Sequence, residues 1–246
     1  MAKVTVIAAL PREIAPLVAT GAWRAIALPP ALRAFENGET LLVCAGMGAA
    51  AARHSAETVV SRLRPSFLIS AGLAGALVEG WKVGQVMIPN TIIDSVSRRH
   101  IAWNWANKLD PAPVGGVLLS GSEVAGPEAK RLLARQYGGQ AIDMEAEAVA
   151  AVAAAAGVPF LAVKAISDEW DFPMPDLAPY IDGQGRFRTG RFLLHTVLHP
   201  YTWRVVSRLA SQSAQASREL CRELRRLLES GALDGVAGQA TTPRGA

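Results

Sequence analysis

Short, continuous apolar runs alternate along the chain with longer segments in which apolar residues have helical spacing. Such runs, rich in Val, Ile and Leu and bounded by Gly or Pro, are typical of strands buried on both faces of a sheet. The pattern predicts strands at residues 4–10, 41–45, 67–71, 83–88, 117–120 and 160–166, and a short strand that ends near Asp143. It predicts helices at residues 49–64, 126–137, 145–156, 191–198 and 202–228. This alternation indicates an α/β fold.

Residues 141–171 form the unit around which the other elements can be placed. A short strand leads into an Ala-rich helix, and Gly157 and Pro159 end that helix before the next apolar run. A strand–helix–strand crossover of this kind is right-handed and makes its two strands parallel. We therefore expect Glu145 and Asp168, which follow the two strands, to lie at one edge of the sheet, where open α/β sheets bind ligands.

Three other strand ends carry candidates for the same crevice. Glu13 follows the first strand, beside Arg12. Gly46-Met47-Gly48 follows the strand at 41–45, and Gly72-Leu73-Ala74-Gly75 follows the strand at 67–71. Taken singly, a carboxylate at a helix start is explained by the helix dipole, and a glycine turn by geometry alone. The combination of these groups at one sheet edge is what predicts a site.

The chain has the length of one large α/β domain with its own core. We assign residues 1–229 to a single catalytic domain and residues 230–246, rich in Gly, Ala and Thr, to a disordered tail. Residues 95–116 are aromatic, basic and interrupted by two prolines, and we interpret them as a long excursion or lid. Residues 25–35 have no clear pattern, although Asn37-Gly38 is a strong turn signal.

Composition narrows the classes of function. Half of the residues are hydrophobic, yet no apolar run reaches the ~18 residues that suggest a membrane span. The net charge of +4 allows attraction to anionic substrates or membrane surfaces without requiring either. Cys44 and Cys221 make neither a disulfide framework nor a metal motif, which favours a cytoplasmic location. The histidines have no ligand spacing, so we expect no metal and no cofactor.

Two motifs carry a resemblance to a known family. Asp143-Met144-Glu145 before an Ala-rich helix, and then Ala165-Ile166-Ser167-Asp168, resemble the nucleoside phosphorylase/nucleosidase superfamily. That superfamily includes purine nucleoside phosphorylases and methylthioadenosine/S-adenosylhomocysteine nucleosidases. The resemblance covers roughly residues 4–171, and beyond Asp171 the sequence is similar to the hopanoid-associated phosphorylase branch. It implies a single-domain, three-layer α/β/α fold with a mixed, largely parallel central sheet, and a homo-oligomer.

The resemblance also implies roles for the residues at the sheet edge. Asp168 would protonate the leaving purine, and we expect burial to raise its pKa so that it holds a proton. Glu145 would accept hydrogen bonds from the ribose hydroxyls and favour the oxocarbenium ion, with Met144 as an apolar wall against the sugar. The substrate-binding set predicted in this way is Glu145, Met144, Ser167, Gly46, Met47, Gly48, Leu73, Ala74, Gly75 and Val124.

The nucleophile distinguishes the two branches of the family, and the residues leave both open. Glu13 matches the position that orients an attacking water in nucleosidases. A phosphate nucleophile would be a co-substrate and would need donors such as Arg12 and the Gly48 backbone. However, Leu10-Pro11-Arg12-Glu13 replaces the GDPxR-like opening of the phosphorylases, and Leu73 stands where a polar or phosphate-binding residue is common. We therefore favour water. No aromatic residue follows Ser120-Gly121, so the base identity stays open.

We predict cleavage of the N-glycosidic bond of a purine nucleoside, adenosine-type and 5′-modified or lipid-linked, with no nucleic-acid partner. One alternative is a dinucleotide-dependent oxidoreductase, because residues 46–51 fit G-x-G-x-x-A; residues 65–78 lack the acidic residue that such a site needs. Another is a non-catalytic membrane-surface binder that uses Arg218, Arg222 and Arg225, although Glu219 and Glu223 intersperse the charge. A peripheral membrane contact is also compatible with the enzyme.

Overall fold

The computed structural model describes residues 4–28, 32–102, 115–175, 178–180, 188, 199 and 203–233. In this part of the chain one mixed sheet has eleven strands. They are β1 Val4–Ala8, β2 Arg24–Leu28, β3 Leu32–Asn37, β4 Thr40–Cys44, β5 Phe67–Ala76, β6 Val86–Met87, β7 Thr91–Asp94, β8 His100–Ala102, β9 Val117–Ser120, β10 Ala141–Asp143 and β11 Phe160–Asp168. The strand order is β2-β3-β4-β1-β5-β10-β9-β7-β8, and β11 pairs with β5 and β6.

The helices of the described residues form layers against this sheet. They are α1 Pro11–Val18, α2 Ala49–Leu63, α3 Pro127–Tyr137, α4 Ala146–Ala155, α5 Trp203–Glu229 and a 3₁₀ turn at Ala178–Tyr180. Helix α5 packs on α1, β5 and β11, whereas α2 and α4 pack on each other and on the central strands. The arrangement is the three-layer α/β/α fold expected for a single domain with a mixed sheet. Its core is formed mostly by the apolar strands and the Ala-rich α4.

The sheet consists of two parallel blocks that run in opposite directions. β4, β1, β5 and β11 form one block, and β7, β9 and β10 form the other. They meet where β10 pairs antiparallel with the end of β5. The expected parallel relation between β10 and β11 is therefore wrong, because the crossover through α4 connects strands of opposite direction. The handedness rule applies to strands of one parallel block, and the sequence does not reveal where the blocks change.

Most predicted elements are found with small differences in their ends. Residues 117–120 form a strand, as predicted, and β5 continues past the predicted end at residue 71 to Ala76. The unassigned residues 25–35 lie in β2 and β3, and Gly38, with φ 55°, turns β3 into β4. The segment predicted as a lid begins with a β7–β8 hairpin, and residues 103–114 lie outside the described part.

Two C-terminal predictions fall largely outside the described residues. They are the helix expected at 191–198 and the tail expected at 230–246, of which residues 234–246 lie outside the described part. Within the described part, Leu233 is buried in the core. Helix α5 packs on the sheet as predicted, and the exposed Arg222 forms an ion pair with Glu219 on its outer surface, as expected of a solvated helix. Among the described residues, no helix is long and apolar enough to cross a bilayer.

Candidate active site

A cavity of about 460 Å³ opens where the carboxyl ends of β1 and β10 approach each other along one edge of β5. β1 pairs with β5 as far as Ala71, and β10 pairs with the same strand at Gly75 and Ala76. The two strands point at each other from opposite directions, so the groups that follow them converge on residues 72–74. This head-to-head arrangement, rather than a parallel crossover, brings together the carboxylates that the sequence places far apart.

The cavity wall contains most of the predicted site residues. Those that line it are Asp168, Glu13, Glu145, Met144, Ser167, Met47, Leu73, Ala74, Gly75, Val124 and Arg12. Gly46 and Gly48 do not line it. Gly48 instead holds a residue that lines the cavity, because its backbone N–H donates a 2.7 Å hydrogen bond to Oε1 of Glu145. Gly46 instead donates its N–H to the carbonyl of Ala9 and ties the two turns together.

Glu13 is held at the start of α1 by its own backbone. Its Oε2 accepts hydrogen bonds of 3.0 Å from the N–H groups of Ala9 and Leu10, just beyond β1. Burial raises the pKa of this carboxyl, while the Leu10 N–H and the nearby Lys164 ammonium oppose the rise. A carboxylate that is desolvated but still faces the cavity is suited to accept a proton from a nucleophile.

Glu145 precedes α4 and reaches across to the turn before α2. Burial raises its pKa to about 7, and repulsion by Asp143 adds to the rise. The Gly48 N–H stabilises the ionised form. Gly48 has φ 87°, a conformation that favours glycine, so the direction of this N–H depends on the residue type. Glu145 is thereby fixed in the wall as a hydrogen-bond acceptor.

Lys164, which is 1% exposed, neutralises the charge beneath these carboxylates. Its Nζ lies 2.8 Å from Oδ2 of Asp143 and 3.1 Å from the hydroxyl of Ser70. Lys164 is the β11 partner of Gly72, and a Cβ on that glycine would lie 3.5 Å from Nζ and 3.6 Å from Oε2 of Glu13. Gly72 thus lies in van der Waals range of both the lysine and Glu13, where the strand ends converge.

Asp168 ends β11 and is paired with a lysine from α3. The Nζ of Lys130 forms a short ion pair with Oδ2 of Asp168 and donates a 2.9 Å hydrogen bond to the carbonyl of Glu169. The hydroxyl of Ser167 donates to the other oxygen, Oδ1, at 2.6 Å. Gly75 lies opposite, and a Cβ there would be 2.8 Å from Oδ2. We expected burial alone to act on this carboxyl, and the structure adds a counter-charge.

The remaining wall of the cavity is largely apolar. It is formed by one face of α5, with Val206, Leu209 and Ala210, and by Met174 from the segment after β11. Leu73, Val124 and Met144 extend the apolar surface towards the carboxylates. The site therefore combines a charged floor with an apolar side wall, as is usual for small-molecule sites. In the described part of the chain, no group of three His, Cys, Asp or Glu side chains could hold a metal ion.

Sequence reasoning missed the two buried lysines and the wall from α5. Lys164 had a signal, because a single lysine inside the apolar run of β11 must find a counter-charge when that strand is buried. Lys130 had none: on an amphipathic helix a lysine is normally solvated. The face of α5 that covers the site could not be located without the packing of that helix on β5 and β11.

Comparison with known proteins identifies the family. The model of the phosphorylase superfamily matches residues 3–115 and 101–178, which is most of the chain. The chain belongs to the phosphorylase superfamily. Among curated superfamily relatives, the 5′-methylthioadenosine/S-adenosylhomocysteine nucleosidase of Actinobacillus succinogenes is 29% identical over 162 residues, which is 55% of this chain and 70% of the relative. The same enzyme of Buchnera aphidicola is 24% identical over 56% of this chain and 70% of its own.

Solved structures of the superfamily share the fold. The 5′-methylthioadenosine/S-adenosylhomocysteine nucleosidase of Helicobacter pylori superposes with a TM-score of 0.69 at 16% identity, over 93% of this chain and 98% of its own. The futalosine hydrolase of the same organism gives 0.68 at 16% identity, over the same shares. The oxidoreductase alternative loses its basis, because the Gly48 N–H that would face a pyrophosphate instead binds Glu145.

Proposed function

We propose that this superfamily member cleaves the N-glycosidic bond of a purine nucleoside and that water is the nucleophile. The observation that carries the proposal is the convergence of Glu13, Glu145 and Asp168 on one cavity. Such a reaction needs an acid for the leaving base, an acceptor for the ribose hydroxyls and a base for the nucleophile. The three carboxyls supply one group for each task.

The spacing of the carboxyls supports these roles. Glu13 lies beside Gly72 and Asp168 beside Gly75. These glycines are three positions apart on β5, so the two carboxyls reach the same cavity from different points along the strand. Asp168 would donate a proton to the departing purine, while Glu13 would take a proton from the water that attacks the anomeric carbon. Glu145 would accept hydrogen bonds from the ribose hydroxyls.

Charge favours water over phosphate. The lysines of the site are already engaged, Lys164 with Asp143 and Lys130 with Asp168. A phosphate near Glu13 and Glu145 would meet two carboxyls, and like charges at close range disfavour binding. Glu145 would be ionised when it accepts hydrogen bonds from the ribose hydroxyls, and its negative charge would strengthen the repulsion of phosphate. Arg12 also lines the cavity and is exposed at the start of α1.

The apolar wall supports a substrate whose 5′ end is modified. A 5′ substituent that leaves the ribose would meet Met174, Val206 and Leu209. Burying an alkyl group there contributes about 0.8 kcal/mol per CH₂. We propose an adenosine-type nucleoside with an apolar 5′ group, and a lipid-linked nucleoside is the extended form of this substrate. A homo-oligomer, a cytoplasmic location, a peripheral membrane contact and the hopanoid-associated branch stay predictions of the sequence.

Incubation with a panel of nucleosides tests this proposal. Adenosine, inosine, methylthioadenosine and 5′-alkyl adenosines are incubated with the enzyme, with and without phosphate, and the products are separated by chromatography. We expect free base and free ribose sugar without phosphate, and a higher kcat/KM for 5′-alkyl adenosines than for adenosine. Ribose 1-phosphate formed only with phosphate would replace water by phosphate as the nucleophile. No base released from any member of the panel would contradict the proposal.

A further inference from the structure

The Lys130–Asp168 pair is built into the wall of the cavity. Lys130 is 1% exposed and Asp168 is 2% exposed, yet both line the site. Lys130 also donates a hydrogen bond to the carbonyl of Glu169, and Asp168 also accepts one from the hydroxyl of Ser167. Gly75 leaves space for it, since a Cβ would lie 2.8 Å from Oδ2 of Asp168 and 3.2 Å from Nζ of Lys130. The nearest groups are thus arranged around a buried ion pair between a lysine and a carboxyl.

An ionised Asp168 cannot give a proton to a purine. In the ion pair the acidic proton belongs to the lysine, and an ammonium attracts a carboxylate strongly in a buried setting. The acid role proposed above therefore requires a proton source for Asp168. The only group on Oδ2 with a proton to give, among the described contacts, is the Nζ of Lys130.

We propose that Lys130 is a positioning residue that supplies the proton of Asp168, so that the pair rather than the lone carboxyl acts on the leaving base. This inference rests on the proposed function. Ser167 donates to Oδ1, which leaves Oδ2 as the oxygen that carries the proton. An N–H bond of Lys130 first breaks as the O–H bond on Oδ2 of Asp168 forms, and the lysine becomes a neutral amine. As the C1′–N9 bond then breaks, its electrons pass into the base, N7 takes the proton from Oδ2, and Asp168 is left ionised.

The proton balance closes through the cavity. The water that attacks C1′ gives one proton to Glu13, and the base leaves with one proton at N7. Glu13 then releases its proton to water in the cavity, and the neutral Lys130 regains one through Asp168, because the lysine itself has almost no contact with solvent. Each cycle therefore transfers one proton from water to the base and returns the pair to its starting state.

The other charged groups near the pair are accounted for. Besides the pair, the ionisable side chains that line the cavity are Arg12, Glu13, Glu123, Asp143 and Glu145. Asp143 is paired with Lys164, and the side chain of Glu169 lies 3.3 Å from Lys82. On α3, Glu128 and Arg131 are exposed, and α5 lines the cavity with apolar and Ser residues. Lys130 is thus the cation in contact with Asp168.

Three variants and two substrates test the inference. Lys130→Met removes the cation, Lys130→Gln keeps a polar group of similar length, and Lys130→Arg keeps the charge on a group that does not release a proton. The substrates are a purine nucleoside that wild type cleaves and 4-nitrophenyl β-D-ribofuranoside, whose leaving group departs without a proton. kcat/KM is measured from pH 6 to pH 9, and circular dichroism verifies the fold of each variant.

The expected result separates proton supply from a merely structural role. Lys130→Met lowers purine cleavage by about 10²–10⁴-fold at pH 8.5, and the deficit shrinks towards pH 6, because the protonated fraction of any carboxyl rises as the pH falls. Lys130→Arg is less active on the purine than Lys130→Met at pH 6. Cleavage of the nitrophenyl riboside changes much less in every folded variant.

Several outcomes would overturn the inference. If Lys130→Arg cleaves the purine nucleoside as wild type does, the lysine serves only as a charge. If wild type loses cleavage of both substrates with the same basic limb, the proton comes from elsewhere; this measurement needs no variant to fold. A wild-type enzyme that cleaves no purine nucleoside would overturn the proposed function and the inference with it.

Discussion

The backbone N–H of Gly48 donates a 2.7 Å hydrogen bond to Oε1 of Glu145, 97 residues further along the chain. This bond joins the turn after β4 to the residue that precedes α4, and it fixes the carboxylate at the cavity wall. A glycine turn that a dinucleotide site would use for phosphate here orients an acidic side chain. The role that we propose for Glu145, as the acceptor of the ribose hydroxyls, follows from this position.

Glu145→Gln is expected to remove the acid limb of the pH profile. The pKa of Glu145 is about 7, so the ionised fraction falls tenfold for each pH unit below that value. We expect kcat/KM of wild type to decrease below pH 7 for this reason, and the variant to be at least about 10²-fold less active at pH 7.5 with a flat profile. Glu39→Gln, at an exposed position, is the matched control. A variant that keeps the acid limb would show that another group titrates there.

The same substitution is expected to stabilise the protein at high pH. The folded-state pKa of Glu145 is raised from 4.5 to about 7, so the folded protein binds a proton more tightly than the unfolded chain. Ionisation therefore destabilises the fold as the pH rises from about 4.5 through 7, and the effect is absent below that window. We expect Glu145→Gln to increase the free energy of unfolding by about 1–3 kcal/mol at pH 8 and by nearly nothing at pH 4.5. Urea unfolding at the two pH values measures the difference, and a gain that is equal at both would contradict it.

Gly75→Ala is expected to damage the site more than the fold. The new Cβ would lie 2.8 Å from Oδ2 of Asp168 and 3.1 Å from Cε of Lys130, so the ion pair must move. We expect kcat to fall by about 10²-fold, because small displacements at a reacting group are costly. Gly126→Ala is the control, since a Cβ there meets open space and its φ is −77°. Equal activity of the two variants would show that the pair need not be held in this position.

Lys164→Met is expected to destabilise the fold, and removal of its partner is expected to restore part of the loss. Without the ammonium, Asp143 is left as a buried carboxylate, and breaking such a pair costs about 3–5 kcal/mol. Asp143 would still accept hydrogen bonds from the Ser120 hydroxyl and from the Ala146 N–H. The double variant with Asp143→Asn removes the unpaired charge and should recover at least about 1 kcal/mol. Additive losses in urea unfolding would show that the two side chains are not coupled.

The strands and helices could largely be predicted from the sequence, because each apolar run or helical pattern is a local signal. Residues 117–120 are an example, with Gly116 before them and Gly121 after. The β2–β3 hairpin was missed, because its residues are mostly exposed or half-buried and lack a continuous apolar run. The direction of β10 was predicted incorrectly, since it depends on a pairing with β5 that no local pattern encodes.

The carboxylates of the site were found from their positions after strands, but their counter-charges were not. Glu13, Glu145 and Asp168 share a cavity as expected, although the strand directions that bring them together differ from the prediction. Lys130 escaped notice because its buried position depends on contacts of its side chain with Asp168 and the carbonyl of Glu169, which are tertiary contacts. The chemistry of Asp168 depends on that contact, so the proton source of the site could not be derived from motifs.

The most direct test of the account is the rate of adenine release from a 5′-alkyl adenosine by wild type, Asp168→Asn and Asp171→Asn. Asp171 is an exposed carboxylate three residues after Asp168 and serves as the matched control. Because Asn cannot donate an acidic proton to the leaving base, we expect Asp168→Asn to lower the rate by at least about 10²-fold, while Asp171→Asn stays close to wild type. If Asp168→Asn releases adenine as fast as Asp171→Asn, the purine is not protonated by this residue, and the account of the site is wrong.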